Sequence, residues 1–367
     1  MRINKVKINN FKSLKDVELL LNNLTLITGK NSAGKSSFIQ SLLLWKQNED
    51  NFYTRLEKPL IINGEYIQLG NKKDILFQDA IVEDIEIAIF SEDTSSILSF
   101  NNTDLKINLN TKLDVSSFFD AYNLFDLRFQ YITTDRVIPS ITYALSDENI
   151  EQNQIGFRGE YTAHYLAENR RKPLNVEALQ HSKSITNQLL ENVSLWLSEI
   201  SDGIEISATV YSELQQVNLT YSYTYGDNTT DKYTPLNVGF GITYVLPIIV
   251  AILKAKAGDL LIIENPESHL HPAGQSKVAE LCAIASANGV QIIVETHSDH
   301  FLNGIRVATK KGLLTPEQSS VYYFRKDKDE LETRIDEIHI DKNGAIDNYP
   351  KGFFDQFDDD LDKLISW

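Results

Sequence analysis

The chain has 367 residues, 42% apolar and 23% charged, and these proportions are ordinary for a globular protein that buries a sizeable core. Its formal net charge of −16 at pH 7 excludes a protein that grips a nucleic-acid backbone over much of its surface. Its single cysteine, Cys282, excludes a disulfide framework and fits a reducing compartment. Any contact with nucleic acid is therefore expected at a local basic patch or through a partner.

Hydropathy gives no sign of an exported or membrane-bound protein. The N-terminal segment lacks the apolar core of a signal peptide. The longest apolar run, residues 245–253, has nine residues, whereas about 20 are needed to span a bilayer. We therefore expect a cytoplasmic protein with no membrane partner.

The first third of the chain has mostly strand patterns. Residues 3–9 alternate in polarity, residues 17–21 are apolar, and residues 24–28 form an apolar run that ends in glycine. Residues 36–45 then have the apolar spacing of a helix. From 60 to about 135, β-branched and aromatic residues broken by Asn, Asp and Gly turns predict a β-rich region.

The rest of the chain moves from helices to alternating strands and then to an α/β pattern. Residues 160–200 are predicted helical, and residues 205–235 alternate as strands do. From 236 onward the predicted order is an apolar helix to Lys256, a strand at 259–264, a helix at 273–287, and strands at 291–296 and 320–325. Apolar strands that alternate with helices predict a mostly parallel sheet buried on both faces.

A complete phosphate-binding motif, G-x-x-x-x-G-K-S, occupies residues 29–36 between the third strand and the first helix. In such a loop, backbone N–H groups and the helix N-terminus bind phosphate oxygens, the lysine reaches the β- and γ-phosphates, and the serine hydroxyl ligates Mg²⁺. We therefore predict ATP and Mg²⁺ as cofactors. The predicted phosphate contacts are Gly29, Asn31, Ser32, Ala33, Gly34, Lys35, Ser36 and Ser37.

Two later apolar strands end in residues that can act on a bound nucleotide. Glu264 ends the strand at 259–264, where its carboxylate reaches the crevice at the C-terminal edge of the sheet and holds Mg²⁺ directly or through water. His297 follows the strand at 291–296 and is predicted to contact the γ-phosphate or the attacking water.

Together these segments resemble the ABC-type ATPase heads of the RecF, SMC and overcoming-lysogenisation-defect (OLD) group. They are most similar to small bacterial AAA ATPases with an ENPExHLHP motif, as found in anti-phage defence systems. The resemblance is carried by residues 10–13 (NFKS), 237–241 (NVGFG, at the place of the signature motif), 264–272 (ENPESHLHP) and 295–298 (ETHS). It implies an α/β fold, a P-loop head whose mixed, mostly parallel sheet is joined to an N-terminal antiparallel portion.

The resemblance also assigns roles and reveals two departures. Asn265 stands where hydrolases of the group place the glutamate that polarises water, so either Glu267 is the base or hydrolysis is slow. The signature reads GFG, so backbone N–H groups of Gly239 and Gly241 are expected to hold the γ-phosphate. Gln68 lies where the Q-loop is expected and is predicted to contact the metal and the γ-phosphate.

The family mechanism implies a head-to-head homodimer, or a higher oligomer, with ATP sandwiched between one subunit's phosphate loop and the other's signature. The predicted head comprises residues 1–80 and 233–367, with 81–232 an inserted β-rich and helical lobe. About 70 residues follow His297, too few to complete the head and add a toprim nuclease domain, so we expect no toprim domain.

Three functions remain open from the sequence. The first is a switch ATPase that regulates a separate nuclease or toxin in an anti-phage complex. The second is a RecF-like ATPase that senses DNA ends, against which the net charge of −16 argues. The third is an ATP-dependent scaffold that does not hydrolyse ATP, which Asn265 keeps open.

Overall fold

The computed structural model describes residues 2–54, 59–326 and 331–365, which form 15 strands in three sheets and ten α-helices. The strands are β1 Lys5–Phe11, β2 Leu14–Leu20, β3 Leu24–Gly29, β4 Asp84–Phe90, β5 Ser95–Asn101, β6 Ile107–Thr111, β7 Phe129–Ile132, β8 Thr142–Ala144, β9 Ile204–Tyr211, β10 Gln216–Tyr225, β11 Asn228–Thr229, β12 Leu260–Glu264, β13 Gln291–Glu295, β14 Ser319–Arg325 and β15 Arg334–Ile338. The helices are α1 Lys35–Gln47, α2 Glu49–Thr54, α3 Val115–Ala121, α4 Asp147–Glu151, α5 Thr162–Asn169, α6 Leu189–Ser198, α7 Phe240–Lys254, α8 Pro272–Ala287, α9 Asp299–Lys310 and α10 Gln356–Ile365.

The central sheet has the order β15-β14-β3-β13-β12-β7. Its strands are mutually parallel except β15, which is antiparallel to β14 at one edge. Alternate residues of β12 enter different cores: Leu261 packs on the side of α7 and α8, and Ile262 on the side of α1. The continuous apolar pattern of these strands follows from burial on both faces. Because the strands are parallel, β3, β12 and β13 bring their carboxyl ends to one edge.

An N-terminal antiparallel sheet has the order β2-β1-β4-β5-β6. Its alternating strands turn one face inward, and Val6 and Ile8 of β1 are fully buried in the core shared with α1. The α/β fold with an antiparallel N-terminal portion, expected from the sequence, is thus confirmed.

The third sheet consists of β8, β9, β10 and β11, with β10 in contact with the other three. It packs with α5 and α6 against α7 in the second core of the molecule.

The strand pairings divide residues 81–232, the predicted insertion, into two parts. Strands β4 to β6 extend the sheet of β1, and β7 pairs with β12 in the central sheet. Strands between residues 84 and 132 therefore belong to the N-terminal and central sheets, whereas strands between residues 142 and 229 form the third sheet. The bounds of an inserted lobe stay a prediction. A strand pattern reveals which face is buried but not which strand is the neighbour, so the sequence did not distinguish these two parts.

Each helix in the described parts of the chain is too short to cross a bilayer; the longest, α8, has 16 residues.

Candidate nucleotide-binding site

The phosphate loop connects β3 to α1 and depends on two glycines with positive φ. Gly29 has φ 140°, and a Cβ atom there would lie 2.0 Å from the Phe324 carbonyl oxygen of the neighbouring strand. Gly34 has φ 102°, and a Cβ atom there would lie 2.4 Å from the Thr333 hydroxyl. A side chain at Gly29 would clash with backbone atoms and one at Gly34 with the Thr333 side chain, and both glycines have a φ that other residues rarely adopt. The glycines of the motif are therefore required by the packing around the loop.

The lysine of the motif is held under the loop. The Lys35 side chain is buried, and its Nζ donates to the carbonyl oxygens of Gly29 at 3.0 Å and Lys30 at 3.1 Å. Nζ also lies 3.8 Å from Glu295 Oε1. Burial lowers the pKa of the Lys35 amine, whereas Glu295 opposes this shift. This position directs one positive charge into the cradle that the loop encloses.

The remaining predicted loop contacts lie at the open side of the loop. Asn31, Ser32 and Ser36 are exposed, and Ser37 is half-buried in the first turn of α1. Ala33 is buried, and its carbonyl oxygen accepts a hydrogen bond of 2.9 Å from the Thr333 hydroxyl.

Glu295, which the sequence did not single out as a site residue, lies at the centre of the candidate site. It ends β13 and is only 4% exposed; its Oε1 accepts a hydrogen bond of 3.4 Å from the Ser36 hydroxyl. In the sheet it is paired with Glu264. Burial and the charge of Glu264 raise the pKa of Glu295 to about 7, against the opposing charge of Lys35. The signal that could have found it is the one used for Glu264: an acid at the end of a buried parallel strand.

Glu264 and Asn265 are joined to the end of β7 by Thr134, a second residue that the sequence did not reveal. The Thr134 hydroxyl lies 3.0 Å from Glu264 Oε2 and 2.9 Å from Asn265 Oδ1. The Arg136 guanidinium, fully buried, donates to the carbonyl oxygens of Glu264 and Asn265. Burial lowers the pKa of Arg136 to about 10. These contacts fix the turn after β12, where Asn265 adopts a positive φ of 44°.

Glu267 and His297 are brought together across the sheet edge. Glu267 Oε2 accepts from the Thr296 hydroxyl and Oε1 accepts from the His297 backbone N–H, both at 2.7 Å. Desolvation and the charge of Lys35 lower the pKa of the His297 imidazole, and Glu267 opposes them. Both oxygens of Glu267 are thus engaged in holding the segment that carries His297. The assignment of Glu267 as general base stays a prediction, and this geometry favours a positioning role.

Gln68 lies apart from these residues, so its predicted role as a metal ligand stays a prediction that this geometry does not support. Its side chain is exposed and donates to the Gly64 carbonyl oxygen at 2.6 Å. Gln68 and Asn63 pair in a short hairpin of residues 63–68. Gln47 also holds this hairpin, because its Oε1 accepts from the backbone N–H groups of Tyr66 and Ile67. Gln47 is the last residue of α1 and Lys35 is the first, and the helix between them is about 18 Å long. Position along the chain suggested a Q-loop, but the hairpin returns to the far end of α1.

Gly239 and Gly241 lie at the start of α7. A Cβ atom at Gly241 would lie 2.3 Å from the His269 carbonyl oxygen, so α7 begins in close contact with the loop after β12. At Gly239 no atom of the described chain comes within 4 Å of that position. The signature segment therefore presents Gly239 at an open surface.

The oxygen donors beside the loop fit Mg²⁺. Ser36 Oγ and Glu295 Oε1 lie 3.4 Å apart, with Glu264 on the adjacent strand. No group of three or more His, Cys, Asp or Glu side chains within the described ranges is arranged as a metal cage. Mg²⁺ in nucleotide sites is held by one or two protein oxygens, substrate phosphates and water, so a dedicated cage is not required.

Comparison with known proteins identifies families that match most of the chain. Residues 24–303 match the family described as "AAA domain, putative AbiEii toxin, Type IV TA system", and residues 314–364 match a family of unknown function, DUF3696. A curated relative is endonuclease GajA of Bacillus cereus (strain HuB5-5), 23% identical over 276 residues. The alignment covers 66% of this chain and 38% of GajA, so the chain spans well under half of that relative.

Solved structures of SMC heads share the fold. One, an SMC head bound to the C-terminal winged-helix domain of ScpA, has a TM-score of 0.60 at 14% identity and covers 93% of this chain and 99% of its own. Another, an SMC head with an extended coiled coil bound to the C-terminal domain of ScpA derived from Pyrococcus furiosus, has a TM-score of 0.55 at 13% identity over 99% of both chains. Since the first family covers more than half of the sequence, the chain belongs to the AAA-domain family described as putative AbiEii toxin, Type IV TA system, and its head has the ABC-type ATPase fold of the RecF, SMC and OLD group.

Proposed function

We propose that this chain binds Mg²⁺ and ATP at the edge formed by β3, β12 and β13, and that it works as an ATP-dependent switch. The observation that carries the proposal is the arrangement of Lys35, Ser36 and Glu295: a buried amine, a hydroxyl and a buried carboxylate around one glycine loop. A triphosphate would supply the negative charge that binds the Lys35 ammonium group, and its metal would add a second positive charge beside the Glu295 carboxylate.

The proposed metal ligands are Ser36 and Glu295, with Glu264 holding water of the metal shell. This assignment shifts the principal acid from β12, where the sequence placed it, to β13. It is supported by hydrogen bonding, because Glu295 accepts from Ser36, whereas Glu264 is engaged by Thr134. Bound Mg²⁺ would keep the buried Glu295 carboxylate ionised.

ATP hydrolysis is proposed to be slow. Asn265 cannot take a proton, and its side-chain oxygen is bound to the Thr134 hydroxyl. Both oxygens of Glu267 are bound to residues 296 and 297. His297 remains to orient the attacking water at the terminal phosphate, and phosphoryl transfer depends mainly on such positioning.

The proposed active form is a head-to-head dimer. Gly239 and the partly exposed Phe240 stand at an open surface of α7, and Gly241 ties that surface to the loop after β12. A second subunit's phosphate loop would meet the N–H groups of Gly239 and Gly241. ATP would then stabilise the dimer by binding two surfaces at once.

The proposed biological role is regulation of a separate nuclease or toxin within a cytoplasmic anti-phage complex. The similarity to endonuclease GajA supports it. A scaffold that binds ATP without hydrolysing it is the second candidate, and it is favoured by Asn265. A RecF-like sensor of DNA ends is less well supported, because the net charge is −16.

The test is isothermal titration with Mg²⁺ and ATP, sedimentation of the titrated protein, and measurement of phosphate release. The wild type should bind ATP and dimerise, and Lys35→Ala should lose both properties. Lys46→Ala, at the other end of α1, is the matched control and should retain them. ATP-dependent dimers without phosphate release would select the scaffold, and absence of ATP binding by the wild type would refute the proposal.

A further inference from the structure

A cavity of about 290 Å³ lies beside the start of the phosphate loop. It is bounded on one side by Gly29, Lys30 and His297, and on the other by residues 351–355, which precede α10. We call residues 350–355 the C-terminal strap. The strap lies within the part of the chain that matches the family of unknown function.

The strap is built to hold this position. Phe353 is buried and packs edge-on against Tyr323 of β14, with ring centroids 5.4 Å apart. Gly352 has φ 89°, and a Cβ atom there would lie 2.7 Å from the Tyr323 hydroxyl and 3.1 Å from Lys30 Cε. Asp355 Oδ2 accepts from the Gly352 N–H at 2.7 Å and closes the turn. The strap therefore contacts both the central sheet and the phosphate loop.

Tyr323, which lines this cavity, carries a polar atom that lacks a hydrogen-bond partner within the described chain. Tyr323 is only 2% exposed, and its buried hydroxyl makes no hydrogen bond with any described residue. An unpaired buried hydroxyl costs about 1–3 kcal/mol, and an acceptor bound at this cavity would offset that cost. Burial and the nearby Asp355 raise the pKa of Tyr323, which keeps it a hydrogen-bond donor at neutral pH.

We propose that the strap closes a subsite for the terminal phosphate of the bound nucleotide, with the Tyr323 hydroxyl and the Lys351 ammonium group as donors beside His297. The inference rests on the proposed ATP site and extends it to residues outside the known nucleotide motifs. Lys30, Lys351 and His297 supply positive or donor groups around the cavity, and Asp355 is the one carboxylate among its lining residues. Asp355 is bound to the strap backbone, so its role is to fix the turn.

The subsite would also couple nucleotide state to the C-terminus. The strap leads directly into α10, whose residues 361, 364 and 365 are exposed leucine and isoleucine side chains. A phosphate that binds Tyr323 and Lys351 would hold the strap against the loop, and its loss would release one of the strap's contacts.

The test compares the affinities of a non-hydrolysable ATP analogue, AMP-PNP, and ADP for the full chain with Mg²⁺. Tyr323→Phe and Lys351→Ala should each weaken AMP-PNP binding about tenfold and leave ADP binding within about twofold, because ADP lacks the phosphate concerned. Tyr322→Phe is the matched control: its hydroxyl donates to the Leu20 carbonyl on the other face of β14, so both affinities should stay unchanged.

Two outcomes would overturn the inference: unchanged AMP-PNP binding in both variants, or an equal loss for AMP-PNP and ADP. Lys351 is exposed, so Lys351→Ala keeps the test decisive even where Tyr323→Phe alters packing. Suppose that the wild type binds AMP-PNP and Lys35→Ala does not. Unchanged AMP-PNP affinity in the two strap variants would then refute the subsite and leave the proposed ATP site standing. If the wild type binds neither nucleotide, the proposed function fails as well.

Discussion

Glu295→Gln should make the nucleotide-free protein more stable and its Mg²⁺–ATP binding weaker. The pKa of Glu295 rises from 4.5 to about 7 on folding, because the carboxyl is buried beside Glu264. A raised carboxyl pKa leaves stability intact below about pH 4.5 and removes it as pH rises through about 7. At 1.36 kcal/mol per pKa unit, ionised Glu295 lowers the free energy of unfolding by about 3 kcal/mol at pH 8.

Glutamine keeps the shape of the side chain and removes the titration. The stability advantage of Glu295→Gln over the wild type should therefore grow by about 2.5 kcal/mol between pH 5 and pH 8. Chemical denaturation at both pH values measures this difference. Glu148→Gln, which removes an exposed carboxylate, is the matched control and should show no such growth.

The same variant should bind Mg²⁺–ATP at least tenfold more weakly at pH 8, since an amide oxygen is a poorer ligand for Mg²⁺ than a carboxylate. Titration of ATP with and without Mg²⁺ separates the metal effect from the phosphate effect. An advantage that is constant from pH 5 to pH 8, with unchanged Mg²⁺–ATP affinity, would show that Glu295 is a structural acid outside the site.

Two further predictions concern the loop and the segment around His297. Gly34→Ala should cost about 1–3 kcal/mol of stability and abolish ATP binding, because alanine is strained at φ 102° and its methyl group would clash with Thr333; a variant with wild-type melting temperature and ATP affinity would contradict the packing argument. Glu267→Gln should retain phosphate release within a few-fold of the wild type, whereas Glu267→Ala should lose it, because glutamine can still bind the His297 N–H and the Thr296 hydroxyl. Equal loss in both variants would instead identify Glu267 as the base.

Much of the head was predictable because its signals are local. The strand, glycine loop and helix around residues 29–36 have a fixed spacing, and the structure places them as β3, the loop and α1. The continuous apolar runs at 259–264 and 291–296 predict strands that are buried on both faces, and in the structure they form β12 and β13. Parallel strands end at the same edge, so Glu264 and the segment before His297 were expected together.

The sequence was least informative where the structure depends on partners distant in sequence. The hairpin of Gln68 was placed in the site by its order along the chain, yet Gln47 holds it at the opposite end of α1. The sequence shows Glu295 only as part of the motif that carries His297. Its contacts with Lys35 and Ser36 join residues about 260 positions apart, and such contacts cannot be seen in a local pattern. Strand patterns likewise could not reveal that β4 pairs with β1.

The phosphate loop is enclosed by residues from both ends of the chain. Thr333 Oγ1 contacts Ser13 Oγ at 2.8 Å and the Ala33 carbonyl oxygen at 2.9 Å, and β3 pairs with β13 and β14. During synthesis, β3 emerges from the ribosome well before either neighbour exists. The growing chain must therefore carry an unpaired apolar strand until residues 291–325 have been made, and such a strand is exposed to aggregation in the meantime. Nucleotide capture is consequently a late event in the biogenesis of this protein.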